Sequence, residues 1–329
     1  MKKRVLVARA AFPQVLERLR SHFDVTPNEE DRIFTADELV RRAAGMRGLF
    51  TTGSERITPA LFAANPQLQV VCNMAVGYNN IDVAAATAAG VMVTNTPDVL
   101  TETTADFAWA LLMAAARRIT ESEHWLRAGK WTKWRYDTLL GADLHGSTLG
   151  IIGMGRIGQA VARRSTGFGM RVIYHNRSRL ASEDEAAANN ARWVEKEELL
   201  KSADHVMLVL PYSAATHHTI GTAELALMKP TATLTNVARG GIVDDTALIT
   251  ALAEHRIAAA GLDVFENEPA LNPGFLALHN VVLTPHIASA SEPTRLAMAN
   301  LAADNLIAAL TGEVPPNLLN PDARRKEQG

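Results

Sequence analysis

Three short stretches carry side chains that folding alone does not require: Asn236-Val237-Ala238-Arg239-Gly240-Gly241, Asp263-Val264-Phe265-Glu266-Asn267-Glu268-Pro269 and Thr284-Pro285-His286-Ile287-Ala288-Ser289. They offer a guanidinium, a carboxylate and an imidazole, groups that steady developing negative charge and pass protons. Each has a plain explanation on its own. An arginine before two glycines is commonly a turn residue, a glutamate before proline a solvated one, and a histidine after Thr-Pro a loop residue. Position argues for more. Each stretch follows a β-rich run, and in open α/β sheets ligands bind outside the carboxyl ends of the strands. Arg239, Glu268 and His286 are therefore expected to converge on one site.

A second stretch, Leu149 to Gly158, is a buried-strand pattern that breaks into glycines and then opens a helix. It reads as a dinucleotide-binding turn. Gly153 permits the tight strand-to-helix turn, Gly155 lets backbone approach a pyrophosphate, and Gly158 lets the helix pack closely on the sheet. The N-terminus of that helix faces the phosphates with unpaired N–H groups. Met154, Arg156 and Ile157 complete the cradle. At the tip of the next strand, His175-Asn176-Arg177-Ser178-Arg179, the acid that would bind a ribose 2′-hydroxyl is missing. Asn176 stands in its place, and Arg177, Ser178 and Arg179 could give charge-assisted hydrogen bonds to a 2′-phosphate. NADP(H) is the preferred cofactor on this reading and NAD(H) the other. The competing explanation is that Arg177 and Arg179 are solvated surface arginines.

These stretches need a scaffold, and the chain alternates short β-rich runs with helical patterns, the signature of parallel sheets with helices on their faces. Strands are expected at Arg4 to Ala8, Gly48 to Thr52, Val70 to Met74 and Val91 to Thr94. The second region adds Thr148 to Ile152, Arg171 to His175, His205 to Leu210, Thr233 to Asn236, Ala258 to Asp263 and Val281 to Thr284. A helical pattern from Thr103 to about Arg127 reads as one long bridge between domains, and an alanine-rich helix is expected from Ser291 to Leu310. The fold class is α/β, with two doubly wound parallel sheets. A dinucleotide turn in mid-chain places the cofactor domain at 100–289. The final helix then returns to the first domain, making a discontinuous, flavodoxin-like substrate domain of 1–99 and 290–329. The tail from Pro315 is rich in proline, asparagine and charge, and its last residues are expected to fray.

The chain has 329 residues with 47% hydrophobic and 21% charged, a formal net charge of -2 and a sequence pI near 6.6. So balanced a surface argues against nucleic-acid or membrane-surface partners. One cysteine, Cys72, sits in an apolar run and reads as a buried core thiol in a reducing compartment. With no apolar run long enough to span a bilayer, the expected location is the cytoplasm. The adjacent His217 and His218 lack sequence partners at ligand spacing, and no metal is expected. Gly129 to Gly141 gathers two of the five tryptophans in a loop, which suggests an interface or a pocket wall.

Taken with the dinucleotide turn, the three opening stretches resemble the D-isomer-specific 2-hydroxyacid dehydrogenases over essentially the whole chain. The Val76-Gly77-Tyr78-Asn79-Asn80-Ile81-Asp82 loop, the Trp131 to Gly141 segment and the acid-free tip are most similar to glyoxylate/hydroxypyruvate reductases, including those that reduce 2-ketogluconate. The resemblance implies that Arg239 binds substrate, Glu268 is the acid of a dyad and His286 is the proton donor. It also implies that the Val76 and Gly77 amides hold the substrate carboxylate. Leu210, Pro211, Val237, Ala238 and Asp263 would border the cofactor, with Asp263 accepting from the nicotinamide carboxamide. Trp134 would line the substrate site from a partner subunit in a homodimer. The chemistry is consistent. Hydride delivered to a keto carbon builds charge on the carbonyl oxygen, which Arg239 would stabilise and His286 would protonate, Glu268 favouring the imidazolium. The expected activity is NADPH-linked reduction of small 2-keto acids in a cleft between two domains. The alternative is a cofactor-sensing corepressor on the same scaffold, since such proteins can keep the same three residues.

Overall fold

The computed structural model describes residues 1–325; the last residues, expected to fray, lie outside that range. The chain divides into two compact units, one of Met1–Leu100 with the chain from Ser291 onward, the other Thr101–Ala290.

The first unit is built on five parallel strands: β1 (Arg4–Val7), β2 (Asp24–Pro27), β3 (Gly48–Thr51), β4 (Val70–Asn73) and β5 (Met92–Thr94). Their order, β2-β1-β3-β4-β5, is that of a flavodoxin-like sheet. Successive side chains alternate between two cores. Val5 and Val7 join the core under the helices Pro13–His22 and Glu292–Thr311, whereas Leu6 and Ala8 face Leu39, Leu61 and Ala86 on the other side. The helix Glu292–Thr311 starts where the Ser291 hydroxyl accepts from Thr294 N–H (3.4 Å) and Pro293 occupies the first turn. Beyond it, the Asn320 side chain accepts the Val93 N–H at 2.8 Å, tying the chain end to β5.

The second unit holds seven parallel strands: β6 (Thr148–Ile152), β7 (Arg171–His175), β8 (Arg192–Trp193), β9 (His205–Leu208), β10 (Thr233–Asn236), β11 (Ala259–Leu262) and β12 (Val281–Leu283). Their order, β12-β11-β10-β9-β6-β7-β8, reverses direction beside β6. Ligands bind at such a switch point in doubly wound sheets. Leu149 and Ile151 face one buried core, Ile152 and Leu208 the other.

The α/β architecture with two doubly wound sheets is as expected, but three elements differ from expectation. Strand β2 carries a terminal proline, and strand β8 has only two residues. Both lie at sheet edges, where half the ladder is missing and the apolar pattern is weak. The long bridge helix is two helices, Thr101–Ala116 and Ile119–Arg127, because Arg118 takes a left-handed conformation at φ 52°. The first is lined with buried residues; the second buries none. Among the described residues, no helix is long and apolar enough to cross a membrane.

Candidate active site

Every stretch that opened the sequence analysis leaves the sheet of the second unit at a strand's carboxyl end. Strand β10 ends at Asn236, whose buried carboxamide accepts from Ala238 N–H (3.0 Å) and donates to the Arg239 carbonyl (3.1 Å). That double bond pattern closes the turn. It presents Arg239 half-buried, with Nη1 donating to the Ala238 carbonyl at 2.7 Å. Burial pulls the guanidinium below its ordinary value, opposed by the Glu268 carboxylate.

The next loop is pressed against this one. A Cβ at Gly240 would lie 1.7 Å from the Phe265 carbonyl oxygen, so only glycine admits the contact. Within the second loop, Glu268 Oε1 accepts the Phe265 N–H at 2.8 Å and Oε2 accepts from His286 Nδ1 at 2.7 Å. Both carboxylate oxygens are thereby fixed. Burial would push the Glu268 carboxyl up, but the His286 bond and charge, the Phe265 N–H and the Arg239 charge together hold it below the usual carboxylate value.

His286 follows β12 and sits in the left-handed region at φ 54°, a conformation that surrounding structure must impose. Asp263, at the end of β11, imposes it. Its carbonyl accepts the His286 N–H (2.8 Å), and its fully buried carboxylate accepts from the Thr284 hydroxyl (2.7 Å), Ile287 N–H (2.8 Å) and Ala288 N–H (2.8 Å). Burial pushes the Asp263 carboxyl up, and these donors restrain the rise. With Nδ1 committed to Glu268, His286 has Nε2 left to face a substrate, and its side chain is 45% exposed.

On the cofactor side, Gly153 has φ 102°, and a Cβ there would lie 2.6 Å from Leu210 N. One at Gly158 would lie 2.3 Å from the Gly153 carbonyl oxygen, whereas one at Gly155 meets nothing within 4 Å. Two glycines thus close the turn and the third opens onto free space. That space lies at the start of the helix Arg156–Arg164, which has Gly155 as its cap and no side chain capping its amides. An open cradle before uncapped amides fits a pyrophosphate. The Met154 side chain is buried in the core, Ile157 packs against that core, and Met154 N–H donates to Asn176 Oδ1 at 2.7 Å, so Asn176 braces the turn. Arg177 and Ser178 are exposed. Arg179 instead makes a two-point ion pair with Glu185 (2.8 and 2.7 Å), whose carboxyl is held down to about 2 by Arg179 and by the Tyr174 hydroxyl. Leu210 is half-buried beside Gly153, Pro211 is exposed, and Val237 and Ala238 are buried.

In the first unit, the Val76 and Gly77 carbonyls accept from the buried carboxamides of Asn95 and Asn73, each at 2.9 Å. Residues 131–136 expose Trp131 (57%), Trp134 (78%) and Tyr136 (82%) in the second unit.

Sequence reasoning passed over two features. The clamping roles of Asn236 and Asp263 depend on backbone closure that spacing does not reveal. The view that His217 and His218 lack partners also needs correction. Folding brings Glu266, 48 residues away, to 2.5 Å from His218 Nε2.

A glycine cradle at the switch point, together with an imidazole held by a carboxylate in a loop cluster that carries a half-buried arginine, defines a nicotinamide-dependent oxidoreductase. Comparison with known proteins makes this specific. The profile of the D-isomer specific 2-hydroxyacid dehydrogenase NAD binding domain matches residues 109–288. A glyoxylate reductase of Thermococcus gammatolerans is 49% identical over 326 residues, 98% of this chain and 97% of the relative. A glyoxylate reductase from Paecilomyes thermophila superposes with a TM-score of 0.86 at 33% identity, over 100% of this chain and 99% of that one. The NADPH-dependent glyoxylate/hydroxypyruvate reductase of Sinorhizobium meliloti, crystallised with NADP and malonate, gives 0.86 at 36% identity over 98% of each chain. The chain belongs to the D-isomer specific 2-hydroxyacid dehydrogenase family. It is an NAD(P)-dependent oxidoreductase.

Proposed function

We propose that this enzyme is an NADPH-preferring reductase of small 2-keto acids, glyoxylate and hydroxypyruvate first and 2-ketogluconate next, giving D-2-hydroxy acids. The observation that carries this reading is the 2.7 Å contact between His286 and Glu268 in a loop cluster that also holds Arg239. The names of the relatives support the substrate class, and the acid-free tip at Asn176–Arg179 supports the cofactor preference. The corepressor alternative draws no support from these relatives.

Bound nicotinamide supplies the hydride that reduces the keto carbon. Gly153, Gly155 and Gly158 with the amides of Arg156 and Ile157 hold the pyrophosphate. Asn176 braces their turn, and Arg177 with Ser178 receives the 2′-phosphate. Leu210, Pro211, Val237 and Ala238 flank the cofactor. Asp263 is given to the nicotinamide end, where its first task is to hold the His286 turn. Arg239 binds the carboxylate and carbonyl of the 2-keto acid as a planar fork. Charge that builds on the carbonyl oxygen is steadied by that guanidinium and quenched by a proton from His286 Nε2. Glu268 keeps the imidazole oriented and favours its charged form. The Val76 and Gly77 amides, whose carbonyls are held by Asn95 and Asn73, take the substrate carboxylate.

The test follows NADPH oxidation with each of the three keto acids in turn and compares kcat/KM with NADH. Turnover of none of them refutes the substrate class, and a clear NADH preference refutes the cofactor assignment. The aromatic loop around Trp134 is assigned to a homodimer contact. Light scattering on the purified chain should give twice the 35.6 kDa chain mass, and Trp134→Ser should lower it.

A further inference from the structure

A cluster of His217, His218 and Glu266, the last in the same loop as Glu268, has no part in the chemistry described above. One donor atom from each of His217, His218 and Glu266 lies within 4.8 Å of the other two. We propose that these three side chains bind a zinc-class divalent cation at a site separate from Arg239, Glu268 and His286.

Two imidazoles and one carboxylate are a donor set that zinc accepts, with water completing the tetrahedron on an open side. The exposed ring of His217 supplies that open side. Bonds of about 2.0–2.1 Å in a tetrahedron would space the donors about 3.3 Å apart. His218 Nε2 and Glu266 stand at 2.5 Å and must part to that spacing, while the exposed ring of His217 turns toward them.

One of the outer contacts that a metal-binding imidazole needs is made, and a carboxylate stands near the place of the other. A ligating histidine has its other ring nitrogen held by an oxygen, which fixes the tautomer and the ring plane. Here His217 Nδ1 meets the Tyr212 hydroxyl at 3.2 Å, and His218 Nδ1 faces Asp244 Oδ2 at 3.8 Å. Asp244 is itself fixed, its other oxygen accepting the Ala247 N–H at 3.0 Å as a helix cap. Glu266 is pinned from behind by its N–H donating to Asp245 at 3.2 Å, and the His218 N–H donates to the Gly241 carbonyl at 2.7 Å. The backbones of His218 and Glu266 are thereby fixed, and a small shift of the His218 ring brings its Nδ1 within hydrogen-bond reach of Asp244.

An ion pair between His218 and Glu266 would explain two of these residues. It does not explain His217, whose ring stacks on His218 with centroids 3.8 Å apart. A ligand role does, once the exposed His217 ring turns out of the stack so that its in-plane lone pair meets the ion. On binding, the cation takes the place of the proton shared by His218 Nε2 and Glu266, and that proton leaves to solvent.

The test is calorimetric titration of the full chain with zinc chloride after dialysis against EDTA. Cobalt(II) absorption in the visible serves as a second readout of tetrahedral coordination. The expected result is one saturable site per chain with proton release. Affinity should fall tenfold or more in His217→Ala and Glu266→Gln, and remain in His286→Gln. His217 is a surface residue, so its variant stays informative even where Glu266→Gln folds poorly. The proposal is overturned by three results: no saturable binding, an affinity in His217→Ala within twofold of the parent, or loss of binding in His286→Gln.

Discussion

Replacing Arg177 with alanine separates the two arginines at the tip of β7. Arg177 is exposed and makes no ion pair among the described residues, so nothing must be broken before it meets a phosphate. Arg179 is already held at both ends by Glu185. A charge-assisted contact to a phosphate is worth up to about 3 kcal/mol, and ordering an arginine side chain costs about 1.5 kcal/mol. The difference of about 1.5 kcal/mol corresponds to roughly tenfold in affinity. Arg177→Ala should therefore lower kcat/KM for NADPH about tenfold, with the NADH value held within about twofold. Arg179→Ala should cost NADPH less than threefold, and Glu185→Gln, which releases Arg179, should sharpen the NADPH preference. Steady-state initial rates with both cofactors at fixed keto acid give these numbers. The reasoning fails if Arg177→Ala leaves the NADPH-to-NADH ratio unchanged, or if Arg179→Ala lowers it more.

His286→Gln should reduce turnover by about 10²- to 10⁴-fold, the usual worth of a positioned proton donor, with NADPH affinity by fluorescence quenching unchanged; a loss below tenfold would remove His286 from that role. Gly240→Ala places a Cβ where the Phe265 carbonyl oxygen stands 1.7 Å away, and backbone cannot yield as a flexible side chain can. Calorimetry should show destabilisation of at least about 1–3 kcal/mol and activity should fall with it, whereas an unchanged Tm would mean the loops are not pressed together. Cys72 is fully buried and its thiol is pushed up to about 12 by that burial, so the native protein at pH 8 should ignore a thiol reagent that labels it on unfolding; rapid native labelling would contradict the packing.

The sequence exposed most of what has long, regular patterns. Central strands such as β6 and β9 are continuous apolar runs because both faces are covered, and they are found where expected. Edge strands β2 and β8 went unseen because an edge needs only partial pairing and little apolar surface. The break at Arg118 was hidden for a different reason. Its neighbours Arg117 and Ile119 keep a helical composition, and a left-handed arginine has no signature in residue type. The glycines of the cradle were legible because a Cβ at Gly153 or Gly158 would strike backbone, and Gly155 leaves the space before the helix open. His217, His218 and Glu266 were not legible as a group, since the contact joins segments 48 residues apart through loops of unpredictable path.

A common device positions the reactive groups, and it is polar rather than apolar. Asn236 closes the Arg239 turn with both ends of its carboxamide, and Asp263 closes the His286 turn with both carboxylate oxygens. In the first unit Asn73 and Asn95 hold the 76–77 loop in the same way. Each of these four residues sits at or just beyond the carboxyl end of a strand and is itself buried. A buried amide or carboxylate is costly unless every lone pair and proton is satisfied. Any backbone rearrangement of these loops would therefore leave such a group unpaired, at about 1–3 kcal/mol apiece. That penalty selects one loop conformation from the many that flexible, glycine-containing segments could adopt. It also accounts for His286 keeping a left-handed backbone that histidine does not favour. The catalytic side chains can then stay partly exposed to substrate, because their geometry is enforced from beneath by residues that substrate never touches.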